Sequence, residues 1–401
     1  MRIGMMADLY KPHVSGVTNY IALNKAYLEQ LGHQVFVFTF NAGDYVDEET
    51  NVIRSPSLAL LDTGYYFSLR YTKEARRLLH TMDVVHVHHP FLSGPLALLY
   101  CRPRGIPIVF TNHTRYDLYA QAYLPAMPDI VGNAALQSYL PSFCRAVDLV
   151  ISPSPGMREV LMQFGVDVPI EVVPNGVDLT PFAHPAMPVT RAELGFQPED
   201  IVLLFVGRLG PEKNLDFLLR SFTGATQAYN HLRLVLIGAG PAQEDLEDRV
   251  NRSGIQHAVR FMGPVAYDQM PRYMAMADAF VTASVTEVHP LTVIEAMAAG
   301  LPVVGIQSPG VGDTVKNDET GYLVPQEDLA MFTAKIIRMA VDSSSRQRMS
   351  HQARLEAQNY AIDLTSQLLL DQYQRVVQAA VGRRSTWRVR LDRFIELFRQ
   401  K

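Results

Sequence analysis

Short apolar runs alternate with segments of helical period from the first residue onward, the pattern of parallel β–α–β units. Arg2–Ala7 reads as a strand, Val17–Leu31 as its crossover helix and Gln34–Phe40 as the next strand. Val84–Val87, Pro107–Phe110, Leu149–Ile151 and Glu171–Val173 continue the strands, while Leu118–Ala146 reads as mostly helical with breaks at Pro125, Pro128 and Pro141. Across Thr180–Pro198 the period is lost, and Pro181, Pro185, Pro188 and Pro198 give the stretch the texture of a linker. The alternation then restarts with strands Ile201–Val206, Arg233–Ile237, Val259–Met262, Ala279–Ala283 and Pro302–Ile306, and helices Asn214–Tyr229 and Leu291–Ala299. This pattern predicts an α/β protein of two doubly wound domains, residues 1–185 and 186–362, followed by C-terminal helices over 363–401. Open sheets of this kind bind ligands beyond the carboxyl ends of their strands, so two facing sheets place one ligand in the cleft between them.

Composition narrows the function without naming it. A chain of 401 residues is long for one core, and 48% hydrophobic with 19% charged residues is ordinary for a globular protein. The formal net charge of −4 argues against a nucleic-acid partner. Cys101 and Cys144 each sit in an apolar stretch, which predicts two buried thiols in a reducing compartment rather than a disulfide. Met1-Arg2-Ile3-Gly4 runs straight into a strand, with no signal-peptide pattern and no apolar run of membrane-spanning length, so the expectation is a cytoplasmic protein.

The candidate chemistry lies where strands end and helices begin. The loop Asp8–Gly16 closes on a helix start that offers free N–H groups to an anion. After the first strand of domain two, Gly207-Arg208-Leu209-Gly210-Pro211-Glu212-Lys213 carries two cations suited to a diphosphate, Arg208 as a fork and Lys213 as a point charge. Glu287 and Glu295 flank the start of a helix, roughly 12 Å apart at 1.5 Å per residue, which matches the reach of a nucleotide sugar from hexose to ribose. Between them the amides of Leu291 and Thr292 are available to the diphosphate. Asn112-His113-Thr114 ends a domain-one strand at the cleft. His86-Val87-His88-His89 puts two imidazoles on one strand face, but with no acidic or cysteine partner nearby a structural or acceptor-binding use outranks a metal.

Taken in order over most of the chain, these motifs resemble the retaining group-1 (family 4) glycosyltransferases of the GT-B fold. The further matching pieces are Val173-Pro174-Asn175-Gly176-Val177-Asp178, Leu236-Ile237-Gly238-Ala239-Gly240-Pro241 and Glu295-Ala296-Met297-Ala298 leading to Gly300-Leu301-Pro302-Val303-Val304. The resemblance implies two Rossmann-like lobes with a C-terminal helix returning to the first. It implies a nucleotide-sugar substrate, no cofactor and no required metal. Gly16, Arg208, Lys213, Leu291 and Thr292 would hold the diphosphate, Glu295 the ribose, and Met262, Gly263 and Val265 the base. Glu287 would lie near the donor sugar and His113 near the reacting carbon. Pro290 stands where the family usually has a glycine whose amide meets the sugar, and a proline has no N–H to give. His289 beside it is the candidate replacement donor.

The C-terminal stretch Arg383–Lys401 holds six Arg and one Lys against Asp392 and Glu396, with Trp387, Leu391, Phe394, Ile395 and Phe398 on one helical stripe. That is the pattern of a basic amphipathic helix lying on an anionic membrane surface. Arg70, Lys73, Arg76 and Arg77 form a second basic cluster behind Tyr65-Tyr66-Phe67. Within the family, His86–Pro90 with Phe91, and His113-Thr114-Arg115-Tyr116, are most similar to the diacylglycerol glucosyltransferases. The expectation is hexose transfer, glucose by preference, from a UDP-sugar to a membrane glycerolipid at the inner face of the cell membrane. A GDP-sugar donor, a soluble or phosphoinositol acceptor, a sugar-nucleotide epimerase and a donor-blind partner subunit are the alternatives.

Overall fold

The computed structural model describes residues 1–13, 15–41, 45–59, 66–67, 70–123 and 129–399, and the side chains of these except at 58–59, 66–67, 120, 122–123, 129–131, 133, 135 and 383–399. Domain one is a seven-stranded parallel sheet of β1 (Arg2–Met6), β2 (Gln34–Phe40), β3 (Val52–Ser55), β6 (Val84–Val87), β7 (Ile108–Thr111), β8 (Leu149–Ser152) and β9 (Ile170–Val172), in the order β3-β2-β1-β6-β7-β8-β9. A small antiparallel pair, β4 (Leu58–Ala59) with β5 (Tyr66–Phe67), lies outside it. Its helices are α1 (Gly16–Gln30), α2 (Lys73–Leu79), α3 (Ser93–Tyr100), α4 (Tyr116–Tyr123), α5 (Asp129–Ala146) and α6 (Pro155–Gln163). The strands are buried on both faces, as parallel sheets flanked by helices are, which is why they read as continuous apolar runs.

Domain two has six parallel strands, β10 (Ile201–Val206), β11 (Leu232–Ile237), β12 (Val259–Gly263), β13 (Ala279–Thr282), β14 (Val303–Ile306) and β15 (Gly321–Val324), in the order β12-β11-β10-β13-β14-β15. Around them run α7 (Thr180–Ala183), α8 (Leu215–Ala228), α9 (Gln243–Arg252), α10 (Met270–Met274), α11 (Leu291–Ala298), α12 (Pro309–Thr314), α13 (Leu329–Val341) and α14 (Ser343–Ala357). In both sheets the strand order reverses beside the first strand, so each domain opens its binding crevice at the β1/β6 or β10/β13 junction.

The final helix, α15 (Ile362–Arg399), returns to domain one as expected. Leu369, Leu370, Tyr373 and Val376 join Ile3, Met5, Tyr20 and Ile21 in one core, and Ser366 Oγ meets Asn24 Oδ1 at 2.9 Å. The two crossings between domains are stitched together, because Val177 N–H donates to Tyr360 O at 3.0 Å and Ile362 N–H to Val177 O at 2.9 Å.

Two expectations need correction. Residues 177–185 pack with domain two, since Val177, Leu179 and Phe182 share a core with Met270, Leu291 and Ile294; burial of those apolar side chains outweighs the proline-rich texture. The first domain therefore ends near Asn175 rather than at 185. Pro141 does not break its helix but lies inside α5, which is held by the buried Leu140, Phe143 and Cys144 around it. Pro125 and Pro128 lie outside the described residues. Cys101 and Cys144 are free, buried thiols, as read from their surroundings.

Candidate active site

The site assembles from strand ends of both domains. Gly16 opens α1 behind Ser15, whose Oγ caps the helix by accepting from Thr18 N–H at 3.2 Å, and no atom lies within 4 Å of where a Cβ would stand on Gly16. Gly16 is thus exposed at the start of the helix. His13 on the same loop is half-buried, and its pKa is lowered by burial and by the Arg208 guanidinium of domain two. Across the cleft α4 packs against the turn Pro211–Lys213, so that Tyr119 feels the charges of Lys213, Glu212, Glu287 and Arg208.

Lys213 and Glu287 form an ion pair, Nζ to Oε1 at 2.6 Å, with side chains 16% and 20% exposed. Burial alone would lower the Lys213 pKa, but the adjoining carboxylate offsets this and leaves it raised, so the ammonium is charged. Pro290 caps α11 at φ −77°, and the first intrahelical bonds run from Val293 and Ile294 N–H to Pro290 O at 3.1 and 3.3 Å. The amides of Leu291 and Thr292 are not used within the helix. Glu295, on the next turns of α11, is 2% exposed and takes a hydrogen bond from the Tyr267 hydroxyl. Burial raises its pKa to about 7 against the opposing effect of that bond. Tyr267 follows the carboxyl end of β12, where Met262 and Gly263 lie with Val265 beyond.

His113 emerges from the end of β7, half-buried, with Nε2 3.1 Å from His88 Nδ1 and its ring 4.7 Å from that of Tyr20. Burial holds it well below the ordinary histidine range, hence neutral. His289 departs from the expected sugar contact. Its ring, 5% exposed and neutral, packs edge-on against Tyr360 at 5.0 Å, while its carbonyl accepts from Asn175 Nδ2 at 2.9 Å. Both partners belong to the domain crossings, so the ring is directed at the hinge. No group of three or more His, Cys, Asp or Glu side chains able to hold a metal occurs among the described residues.

Of the surface residues, Arg77 is exposed on α2, whereas Arg76 lies with its guanidinium 5.6 Å over the Tyr100 ring. Trp387, Phe394 and Phe398 fall in the helical run of α15, but their side chains lie outside those described. His13, Tyr119 and Tyr267 went unnoticed in the sequence. Single His and Tyr residues carry no spacing signal; packing of the two domains brings His13 and Tyr119 to the cations, and packing within domain two brings Tyr267 to Glu295.

Residues 187–356 match the family model of group-1 glycosyl transferases, and residues 14–181 that of glycosyltransferase family 4. An α-monoglucosyldiacylglycerol synthase of Streptococcus pneumoniae is 32% identical over 82% of this chain and 77% of its own length. The chain belongs to the group-1 glycosyltransferases. A D-inositol 3-phosphate glycosyltransferase of Kineococcus radiotolerans is 30% identical over 78% of the transferase and 75% of its own length. Sucrose-phosphate synthase from Thermosynechococcus elongatus shares the architecture at a TM-score of 0.77 and 20% identity, covering 94% of the transferase and 99% of that chain. Anabaena HepE in complex with UDP and glucose does so at 0.74 and 17%, over 94% and 100%. The fold of the transferase is GT-B.

Proposed function

We propose that the transferase moves a hexose, glucose by preference, from a UDP-sugar to the hydroxyl of a membrane glycerolipid such as diacylglycerol, with retention of configuration and no metal. One juxtaposition carries this reading: the charged set Arg208, Lys213 and Glu287 of domain two faces His13 and Tyr119 of domain one. A diphosphate placed there meets the two cations, the α11 amides of Leu291 and Thr292, and the open N-terminus of α1 at Gly16. Those groups stabilise the negative charge that grows on the leaving oxygen as the glycosidic bond breaks. Glu287 balances Lys213 at 2.6 Å; a diphosphate that takes over that cation releases the carboxylate to the sugar hydroxyls. Glu295 takes the ribose, and the 262–265 segment takes the base. The acceptor attacks from the face the diphosphate leaves, and the departing phosphate oxygen accepts its proton. A covalent route through Glu287 is the competing version.

Domain one supports an uncharged acceptor. Among the described residues, Lys11 is engaged by Glu49, Arg54 on β3 by Asp47 at 2.7 Å and Arg115 by Asp117 at 2.7 Å. His86, His88, His89 and His113 are held neutral by burial. Such a wall suits an uncharged hydroxyl better than an inositol phosphate, whose phosphate calls for a free cation. The diacylglycerol named for the pneumococcal relative agrees with it. Arg76, Arg77 and the tail with Trp387, Phe394 and Phe398 would hold the protein to the anionic inner face of the membrane. No helix among the described residues is long and apolar enough to cross a membrane.

The test is mass spectrometry of products after incubating the full chain with UDP-glucose, UDP-galactose or GDP-mannose. Each donor is offered either anionic vesicles containing diacylglycerol or soluble inositol phosphate. A hexosyl lipid from UDP-glucose is expected. Transfer to inositol phosphate, or epimerised nucleotide sugar without lipid product, defeats the reading. Pro290 motivates a donor-blind subunit as the second reading, and absence of heat on titration with UDP and GDP would select it.

A further inference from the structure

Donor binding leaves the buried motif His86-Val87-His88-His89 without a task. Alternation along β6 and the residue just past it puts His86 and His88 on one side, their rings 4.1 Å apart and both fully buried. His86 uses both nitrogens, Nδ1 with the Tyr373 hydroxyl of α15 at 2.6 Å and Nε2 with Thr111 Oγ1 at 2.7 Å. It is thereby locked between the returning helix and β7. His88 lies next to it and joins Nδ1 to His113 Nε2 at 3.1 Å, the two rings 30° from parallel at 5.3 Å. Tyr20 covers both, 5.6 Å from His88 and 4.7 Å from His113. His113 is the half-buried member of the group, the one at the cleft edge.

A neutral imidazole carries a single N–H, so the direction of the His88–His113 bond fixes both tautomers. His88 Nε2 is buried and has no hydrogen-bond partner among the described residues. Were the proton there, a buried N–H donor would go unsatisfied. With the proton on Nδ1 only a lone pair is left over, and orphaned buried donors are the rarer and costlier case. The bond therefore runs from His88 Nδ1–H to His113 Nε2.

We propose that His88 is a positioning residue for hexose transfer: by donating to Nε2 it holds His113 in the Nδ1–H tautomer, leaving that ring one fixed donor and no basic nitrogen for the substrate. The inference rests on the reading above in that His113 meets the substrate. His88→Asn keeps an amide donor near the Nδ1 position, whereas His88→Leu keeps bulk and removes the donor.

The experiment combines nitrogen-15 histidine spectroscopy of the full chain, with the His113 resonance assigned through His113→Gln, and steady-state kinetics with UDP-glucose and diacylglycerol vesicles. In the wild type His113 is expected as the neutral Nδ1–H form; an Nε2–H or cationic ring overturns the proposal without reference to any variant. His88→Leu is expected to lower kcat on the order of 100-fold with donor KM within about 3-fold, while His88→Asn stays within about 5-fold in both. Unchanged kcat in His88→Leu, or equal losses in both variants with the His113 tautomer intact, assigns His88 to packing and also overturns it. If the wild type transfers no hexose, the function proposed above fails, and the tautomer measurement still decides the His88–His113 assignment.

Discussion

At Glu295 a carboxylate is taken out of water and given the Tyr267 hydroxyl, and burial is the larger effect, lifting its pKa to about 7. A folded-state pKa above the unfolded value means that the native protein binds this proton more tightly than the unfolded chain. The stability it contributes is complete below the unfolded glutamate pKa of about 4.3 and is lost as pH rises to about 7. The loss amounts to roughly 2–4 kcal/mol by linkage, and Glu295→Gln should abolish it. Urea unfolding of wild type and variant at acidic and mildly alkaline pH measures this directly, with the variant gaining on the wild type at the higher pH. If the ionised carboxylate is the ribose acceptor, UDP affinity of the wild type should strengthen across the same window. The Glu295→Gln protein should then bind UDP weakly, with no pH dependence.

Helix α11 turns one residue choice into a property of the whole proposed donor site. Proline suits its N-terminal position, because φ of −77° is near its natural value and no intrahelical bond needs its nitrogen. What it removes is an outward-facing amide. Pro290→Gly should restore that donor, tightening nucleotide-sugar binding about fivefold, the worth of one hydrogen bond of about 1 kcal/mol, with UDP affinity unchanged. The added chain freedom should cost about 0.4–1 kcal/mol of stability. Titration calorimetry with UDP-glucose and UDP, beside thermal unfolding, separates the two effects. Equal gains for both ligands would place the new amide at the phosphates instead of the sugar.

The two domains meet through more than their crossings. Asp313 of α12 accepts from Gly156 N–H at 2.7 Å, at the N-terminus of α6 in domain one, and Val288 beside the Glu287 loop is buried among domain-one residues. Gly310 N–H donates to Glu287 O at 3.0 Å, so α12 ties that interface to the Glu287 loop. A methyl group on Gly156 would come within 2.9 Å of Asp313 Oδ2 and 3.0 Å of Pro309 Cα, where backbone has little room to yield. Gly156→Ala should therefore cost the docked arrangement about 1–3 kcal/mol while each domain keeps its own core. Small-angle scattering should show a more open molecule, and donor kcat/KM should fall with it. An unchanged envelope with normal kinetics would show that this contact does not govern closure.

The chain by itself determined both sheets, most strand boundaries within a residue or two, and the strand-end placement of the loops carrying Arg208, Lys213, Glu287 and Glu295. Apolar runs and strand-end glycines are local patterns, and burial on both faces of a parallel sheet writes them plainly. β3 escaped because Val52-Ile53-Arg54-Ser55 is half polar, and β15 because its opening Gly321 reads as a turn residue. Only the tertiary structure decided that Lys213 pairs with Glu287, that His289 turns to Tyr360, and that residues 177–185 pack with domain two. It alone brought His88 to His113 and Tyr373 to His86, a contact spanning 287 positions of chain. Side-chain partnerships over such separations depend on how the elements pack, and hydrophobic periodicity fixes which residues are buried without fixing what they touch.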